Sequence, residues 1–235
     1  MRTMVWVTAG LLVSLVATTG CATGAGRNPA PAHGATATAE PLNLSHAKDA
    51  VLAYVDEGHY ARDLAAVAAE AQAWIERRAA ERRPGERLAV VLDIDETVIS
   101  NLPHMRAEDF GYNPRRWEEW VASANGPALP AMKTVYDAAR AAGVDVLFLT
   151  GRKDPVDRAG TEENLRREGM ADYAELKLLP ENTGRRTALE RKTEARAAWE
   201  AQGWTIIATI GDQASDLGAH AERGFKLPNP FYHIP

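Results

Sequence analysis

The chain has 235 residues, of which 46% are hydrophobic and 25% charged, with a formal net charge of -5. That length suits one α/β domain with some added helix and leaves little room for two independent cores. A mildly acidic chain without a basic block argues against nucleic acid as a partner and favours a small-molecule enzyme or a neutral binding module.

After Arg2 comes MVWVTAGLLVSLVATTGC, an uncharged apolar run that closes on small residues before Cys21. This pattern predicts a secretory signal over residues 1–21. Cys21 is the single cysteine, so an intramolecular disulfide is impossible. Its place directly after Ala17-Thr18-Thr19-Gly20 resembles the lipidation site of bacterial lipoproteins, with a departure at Thr18, where leucine is usual. Acylation of Cys21 would anchor the exported chain to a bacterial membrane. Cleavage and release to the periplasm or medium, and an uncleaved N-terminal anchor, are the alternatives.

Residues 22–42 are rich in Ala, Gly, Pro and Thr and carry no large apolar side chain before Leu42. Such a segment cannot bury enough surface to offset ordering, which predicts a flexible linker. Residues 43–86 then read as two helices, SHAKDAVLAYVDEG with Ser45 as N-cap and Gly58 as stop, and HYARDLAAVAAEAQAWIERRAAERR ended by Pro84-Gly85. Leu64, Val67, Ala71, Trp74 and Ile75 form the apolar stripe of the second, which should pack on the domain that follows.

From Arg87 to the end, strand and helix alternate. Strands are predicted at 87–93, 144–150, 175–179 and 204–210, and helices near 114–124, 131–142, 155–168 and 187–202. Asn113-Pro114 and Asp154-Pro155 each look like a cap followed by Pro in the first turn, and Gly143, Gly169 and Gly203 close helices. Near-continuous apolar strands spaced by helices predict a Rossmann-like three-layer α/β sandwich with a mostly parallel sheet. Residues 96–130 form a short insert, too small for a large cap domain, and contain Phe110, Tyr112, Trp117 and Trp120. These aromatics either stack on a nucleobase or aryl group or pack a small helix onto the core.

Ligands of such sheets bind beyond the carboxyl ends of the strands. There stand Asp93 and Asp95 in VVLDIDETVISN, Thr150-Gly151-Arg152 after the second strand, and Gly211-Asp212 with Asp216 after the last. Lys192, on the preceding helix, joins them in competition with Arg185, Arg186 and Arg191. Two carboxylates about 4 Å apart repel by roughly 4 kcal/mol at an effective dielectric near 20. Asp93, Asp95 and Asp212 therefore call for a positive partner, and Mg²⁺, which takes a few carboxylates and a phosphate oxygen, fits. Lys192, Thr150 and backbone N–H groups would complete a phosphate cradle. Thr150 could instead form a turn, and Asp216 could cap the next helix.

The segments DIDET, LFLTGR, KTEAR and GDQASD resemble the four motifs of the haloacid dehalogenase superfamily. LDIDETVISN, WEEWVASANGPALPA, FLTGRKD, TEENLRREG and GDQASDL followed by FKLPNPFYHIP extend the likeness to the subfamily IIIB, class B-type acid phosphatases of plants and of bacterial lipoproteins. The likeness covers residues 87–235, the expected catalytic domain. It implies an exported, Mg²⁺-dependent acid phosphatase acting on small phosphomonoesters, nucleoside monophosphates or aryl phosphates among them. It implies Asp93 as the nucleophile forming an aspartyl-phosphate, and Asp95 as the acid and base whose backbone carbonyl also binds metal. Asp212 would bind the metal directly, Asp216 directly or through water, and Thr150, Gly151 and Lys192 would hold the phosphoryl group. An acidic optimum follows, because Asp95 must carry a proton to act as acid. Competing readings are a dehalogenase or phosphomutase on the same fold, and a catalytically weak surface lipoprotein that binds metal or ligand. Asp95 speaks against the dehalogenase, the short insert against the mutase, and Asp93 against the inactive lipoprotein.

Overall fold

The structure is a computed structural model that describes residues 41–180 and 184–234. The expected signal, Cys21 and all but the last two residues of the expected linker lie outside the described residues.

β1 (Arg87–Leu92) is the middle strand of a five-stranded sheet. The others are β2 (Asp145–Asp154), β3 (Glu175–Pro180), β4 (Trp204–Gly211) and β5 (Gly224–Lys226), in the order β3-β2-β1-β4-β5 with every neighbouring pair parallel. β1 buries everything after Arg87 because both sheet faces are covered. Val90 and Leu92 join Val146 and Phe148 on one face, against α2 (His59–Ala80) and α5 (Pro130–Ala141). Ala89 and Val91 join Leu147 and Leu149 on the other, against Trp199 of α7 (Ala188–Ala201). The result is the three-layer α/β sandwich that the strand pattern implies.

The helical additions are small. α1 (Leu44–Asp56) precedes α2, whose Tyr60, Leu64, Ala68, Ala71 and Ile75 enter the same core as the sheet. Trp74 fixes this layer further by donating its indole N–H to the Ile207 carbonyl of β4 at 2.8 Å. Between β1 and α5 stand only α3 (Leu102–Ala107) and α4 (Pro114–Ser123), so among the described residues no large cap covers the sheet. Asn113 caps α4 as its position before Pro114 implies, accepting from the amides of Arg115 and Arg116.

Local chemistry departs from expectation at several points. Asn43, not Ser45, caps α1: its side chain accepts from Ser45 N at 2.9 Å. Asp154-Pro155 does not open a helix. β2 runs on to Asp154, the peptide bond there is cis, and α6 (Arg158–Arg167) starts after Asp157. Strand pairing with β3 carries β2 past the turn chemistry of Gly151. α3, the 3₁₀ turn Ala214–Leu217 and β5 are too short to leave a periodic signature.

Candidate active site

The chain builds β1, β2 and β3 outward in one direction, then returns to place β4 on the other side of β1. The crevice between β1 and β4 at their carboxyl ends is thus the switch point at which sheets of this type bind ligands. Asp93 follows β1, its amide donating to the Ile210 carbonyl at 3.0 Å, and Asp212 follows β4. The 3₁₀ turn after β4 supplies Asp216.

One carboxylate oxygen from each of Asp93, Asp212 and Asp216 lies within 4.8 Å of the others, and all three residues are buried. Lys192 reaches in from α7, donating to Asp93 Oδ1 at 2.7 Å and pairing with Asp216 Oδ1. Burial pushes the Asp93 carboxyl well above the usual range; Lys192 opposes this, while Asp216, Asp212 and Asp95 add to it. Asp212 is raised as well, chiefly by burial. Burial alone would lower the Lys192 ammonium, but Asp93 and Asp216 reverse that and hold it above the ordinary lysine range. One ammonium against three carboxylates leaves an acidic hollow of the charge and all-oxygen donor chemistry that a hard divalent cation takes. The residues present therefore fit such an ion.

Asp95 stands apart from this trio. Arg152 grips it as a fork, Nη2 to Oδ1 at 2.7 Å and Nε to Oδ2 at 3.2 Å, and Asn101 Nδ2 donates to Oδ1 at 2.8 Å. Arg152 is itself held by Thr161 Oγ1 at 3.0 Å and is only 3% exposed. Thr150 is fully buried, and its hydroxyl accepts from the Arg152 amide at 3.1 Å; the cleft wall there is formed by Gly151, Arg152 and Lys153. Asp216 caps the turn, Oδ2 accepting from Gln213 N at 2.8 Å, while Oδ1 faces Lys192. Of the competing cations, Arg191 lines the cleft without reaching the aspartates, Arg185 is exposed, and Arg186 pairs with Glu194 at the surface.

Several residues that the sequence reading gave no role also belong to the site. Thr97 Oγ1 lies 3.4 Å from both Asp93 Oδ2 and Asp212 Oδ1. Glu96, in the left-handed region at φ 53, is buried and takes bonds from Asn101 and from the Tyr232 hydroxyl at 3.0 Å. Burial, reinforced by Asp95, pushes its carboxyl up to about 8. Asn101 thus bridges Asp95, Glu96 and the indole N–H of Trp120 at 2.8 Å. The clue was the spacing in DIDETVISN, which places an amide just past the carboxylates.

Above the aspartates opens a cleft of ≈ 470 Å³. Its outer wall is Phe110, Tyr112, Trp117, Phe231, Tyr232 and Ile234. Trp117 and Trp120 differ in role. Trp117 lines the cleft, whereas Trp120 stacks on His104 with ring centroids 5.6 Å apart and holds Asn101.

A parallel sheet of this order, with aspartates at the ends of β1 and β4, is an arrangement that the haloacid dehalogenase superfamily uses. The chain belongs to its subfamily IIIB, the acid phosphatases, whose sequence profile matches residues 26–235. The Class C acid phosphatase of Bacillus anthracis shares the fold, with a TM-score of 0.67 and 24% identity over 80% of this chain and 85% of that one. A stem 28 kDa glycoprotein of Glycine max is 38% identical over 69% of this chain. Acid phosphatase 1 of Solanum lycopersicum is 36% identical over 61% of it. The chain spans 66% of the first of these plant proteins and 58% of the second.

Proposed function

We propose that the protein is an exported acid phosphatase that hydrolyses small phosphate monoesters with Mg²⁺ through an aspartyl-phosphate on Asp93. The reading is carried by one observation: three buried aspartates and one buried lysine meet at the base of a cleft whose outer wall carries aromatic side chains. The family and the plant acid phosphatase relative support the same activity. Mg²⁺, held by Asp212, Asp216 and Asp93 with the Asp95 carbonyl, would neutralise charge on the phosphoryl oxygens as they approach the carboxylates.

The chain's own groups divide the work as follows. Lys192 pairs with one oxygen of Asp93 and leaves the other to attack phosphorus. The new Asp93–phosphorus bond forms as the ester P–O bond breaks, and Asp95 gives its proton to the departing alkoxide. Water then attacks the aspartyl-phosphate, its proton passes to Asp95, and inorganic phosphate leaves with Asp93 restored. Arg152 and Asn101 hold the Asp95 carboxyl in one orientation for both transfers. Lys192 and the Gly151 backbone stabilise the transferring phosphoryl group, the term that dominates in such reactions. The apolar wall suits a leaving group with an aromatic face, a nucleoside or a phenol. Export, and a lipid anchor at Cys21, rest on the sequence pattern of residues 1–21.

The test is phosphate release from an aryl phosphate and from nucleoside monophosphates, with and without EDTA. Asp93→Asn should lose roughly 10³-fold or more in turnover, and the pH–rate profile should fall toward alkaline values. Wild-type turnover by Asp93→Asn would refute the mechanism.

A further inference from the structure

The last described residues, 227–234, run against the loop after β4 as a strap, where a strap amide and a loop amide meet on a single carboxylate. Asp212 Oδ2 takes two amide donors, Gln213 Nε2 at 2.5 Å and Asn229 Nδ2 at 2.6 Å. Its Oδ1 lies 3.4 Å from Thr97 Oγ1, which is equally near Asp93 Oδ2. A carboxylate so held has one oxygen saturated by amides and the other presented to whatever occupies the hollow.

Neither amide is free to rotate. Asn229 Oδ1 accepts from the backbone N–H groups of Phe231 at 2.7 Å and Tyr232 at 3.3 Å, so its NH₂ must face Asp212. Gln213 Oε1 accepts from Ile234 N at 3.0 Å, with the same consequence. The strap is in turn fixed outside the loop. Phe231 packs edge-on against Tyr60 of α2, with centroids 5.2 Å apart, and the Tyr232 hydroxyl bonds Glu96.

We propose that this strap sets the orientation of Asp212 for the divalent cation, with Asn229 and Gln213 as positioning residues. The inference rests on the cation reading above. Partners that orient a metal-binding side chain commonly matter 10–100-fold in metal affinity. The strap would give residues 227–234 a part in cation affinity, although none of them is a ligand.

The test is direct titration of the full chain with Mn²⁺, free Mn²⁺ being followed by electron paramagnetic resonance without substrate. Asn229→Asp keeps the oxygen that shapes the strap and removes the N–H donor to Asp212. Gln213→Glu makes the same exchange at the other amide. Each folded variant should bind Mn²⁺ roughly 10–100-fold more weakly than wild type. Wild-type or tighter binding by either folded variant overturns the proposal. If the wild-type chain takes up no Mn²⁺, the cation reading itself fails, and that result is distinguishable because it appears before any variant is compared.

Discussion

Lys192→Met removes the one ammonium between Asp93 and Asp216 while keeping most of the apolar stem. Lys192 is 5% exposed, Asp93 6% and Asp216 2%, so solvent cannot substitute for it. Breaking a buried pair from one side costs about 3–5 kcal/mol, because the other charge is left uncompensated. For a domain of this size each kcal/mol moves the melting temperature by about 2–4 °C, so the expected loss is roughly 6–20 °C. The assay is thermal unfolding in EDTA at pH 8 and again at pH 5. Burial already raises the Asp93 carboxyl and Lys192 is what opposes it, so without Lys192 the group rises further. At pH 5 the folded variant can take up that proton and discharge the site; at pH 8 it is less able to. The loss should therefore be larger at pH 8. A melting temperature within about 2 °C of wild type at pH 8 would refute the idea that these charges hold each other in place.

Glu96 gives a second pH dependence. Burial raises its carboxyl from the ordinary 4.5 to about 8 in the folded state, so the folded chain keeps a proton that the unfolded chain loses. Its contribution is present below pH 4.5 and disappears as pH rises through 8, an upper bound of about 5 kcal/mol. Urea unfolding in EDTA at pH 5 and pH 8.5 should show a steep fall for wild type and a flatter one for Glu96→Gln; equal slopes would count against it. Arg152→Met should lower kcat on the order of 10–100-fold with little change in KM, since it frees Asp95 without touching the phosphoryl site. Arg152→Lys should not rescue, because a single ammonium cannot reproduce the fork; full recovery would argue for simple charge. Gly160→Ala, where a Cβ would collide with the Val121 carbonyl of α4, should cost about 1–3 kcal/mol by denaturant unfolding.

Local sequence determined a good deal of this protein. Apolar runs such as LAVVL and VLFL, set between helical segments, read as strands buried on both faces, and the glycines after α5, α6 and α7 adopt the positive φ that ends a helix. The spacing of Asp93, Asp95, Lys192, Asp212 and Asp216 relative to those strands fixed where the acidic hollow would lie, because strand ends in a parallel sheet share one edge. What the chain did locally but weakly, as at Asp154-Pro155, was overruled by pairing between β2 and β3.

Tertiary structure alone decided how each carboxylate is held. Arg152 lies 57 residues from Asp95, Tyr232 136 from Glu96, and Asn229 17 from Asp212. No period or cap links such pairs; only the folded sheet, with α2 beneath the strap, brings them within hydrogen-bond range. The aromatics divided for the same reason. Trp117 and Trp120, three residues apart on one face of α4, both lie against His104, yet Trp117 lines the cleft while the Trp120 indole N–H reaches Asn101. Composition and spacing specify which groups must meet, while the directions in which they point are set by contacts distant in sequence.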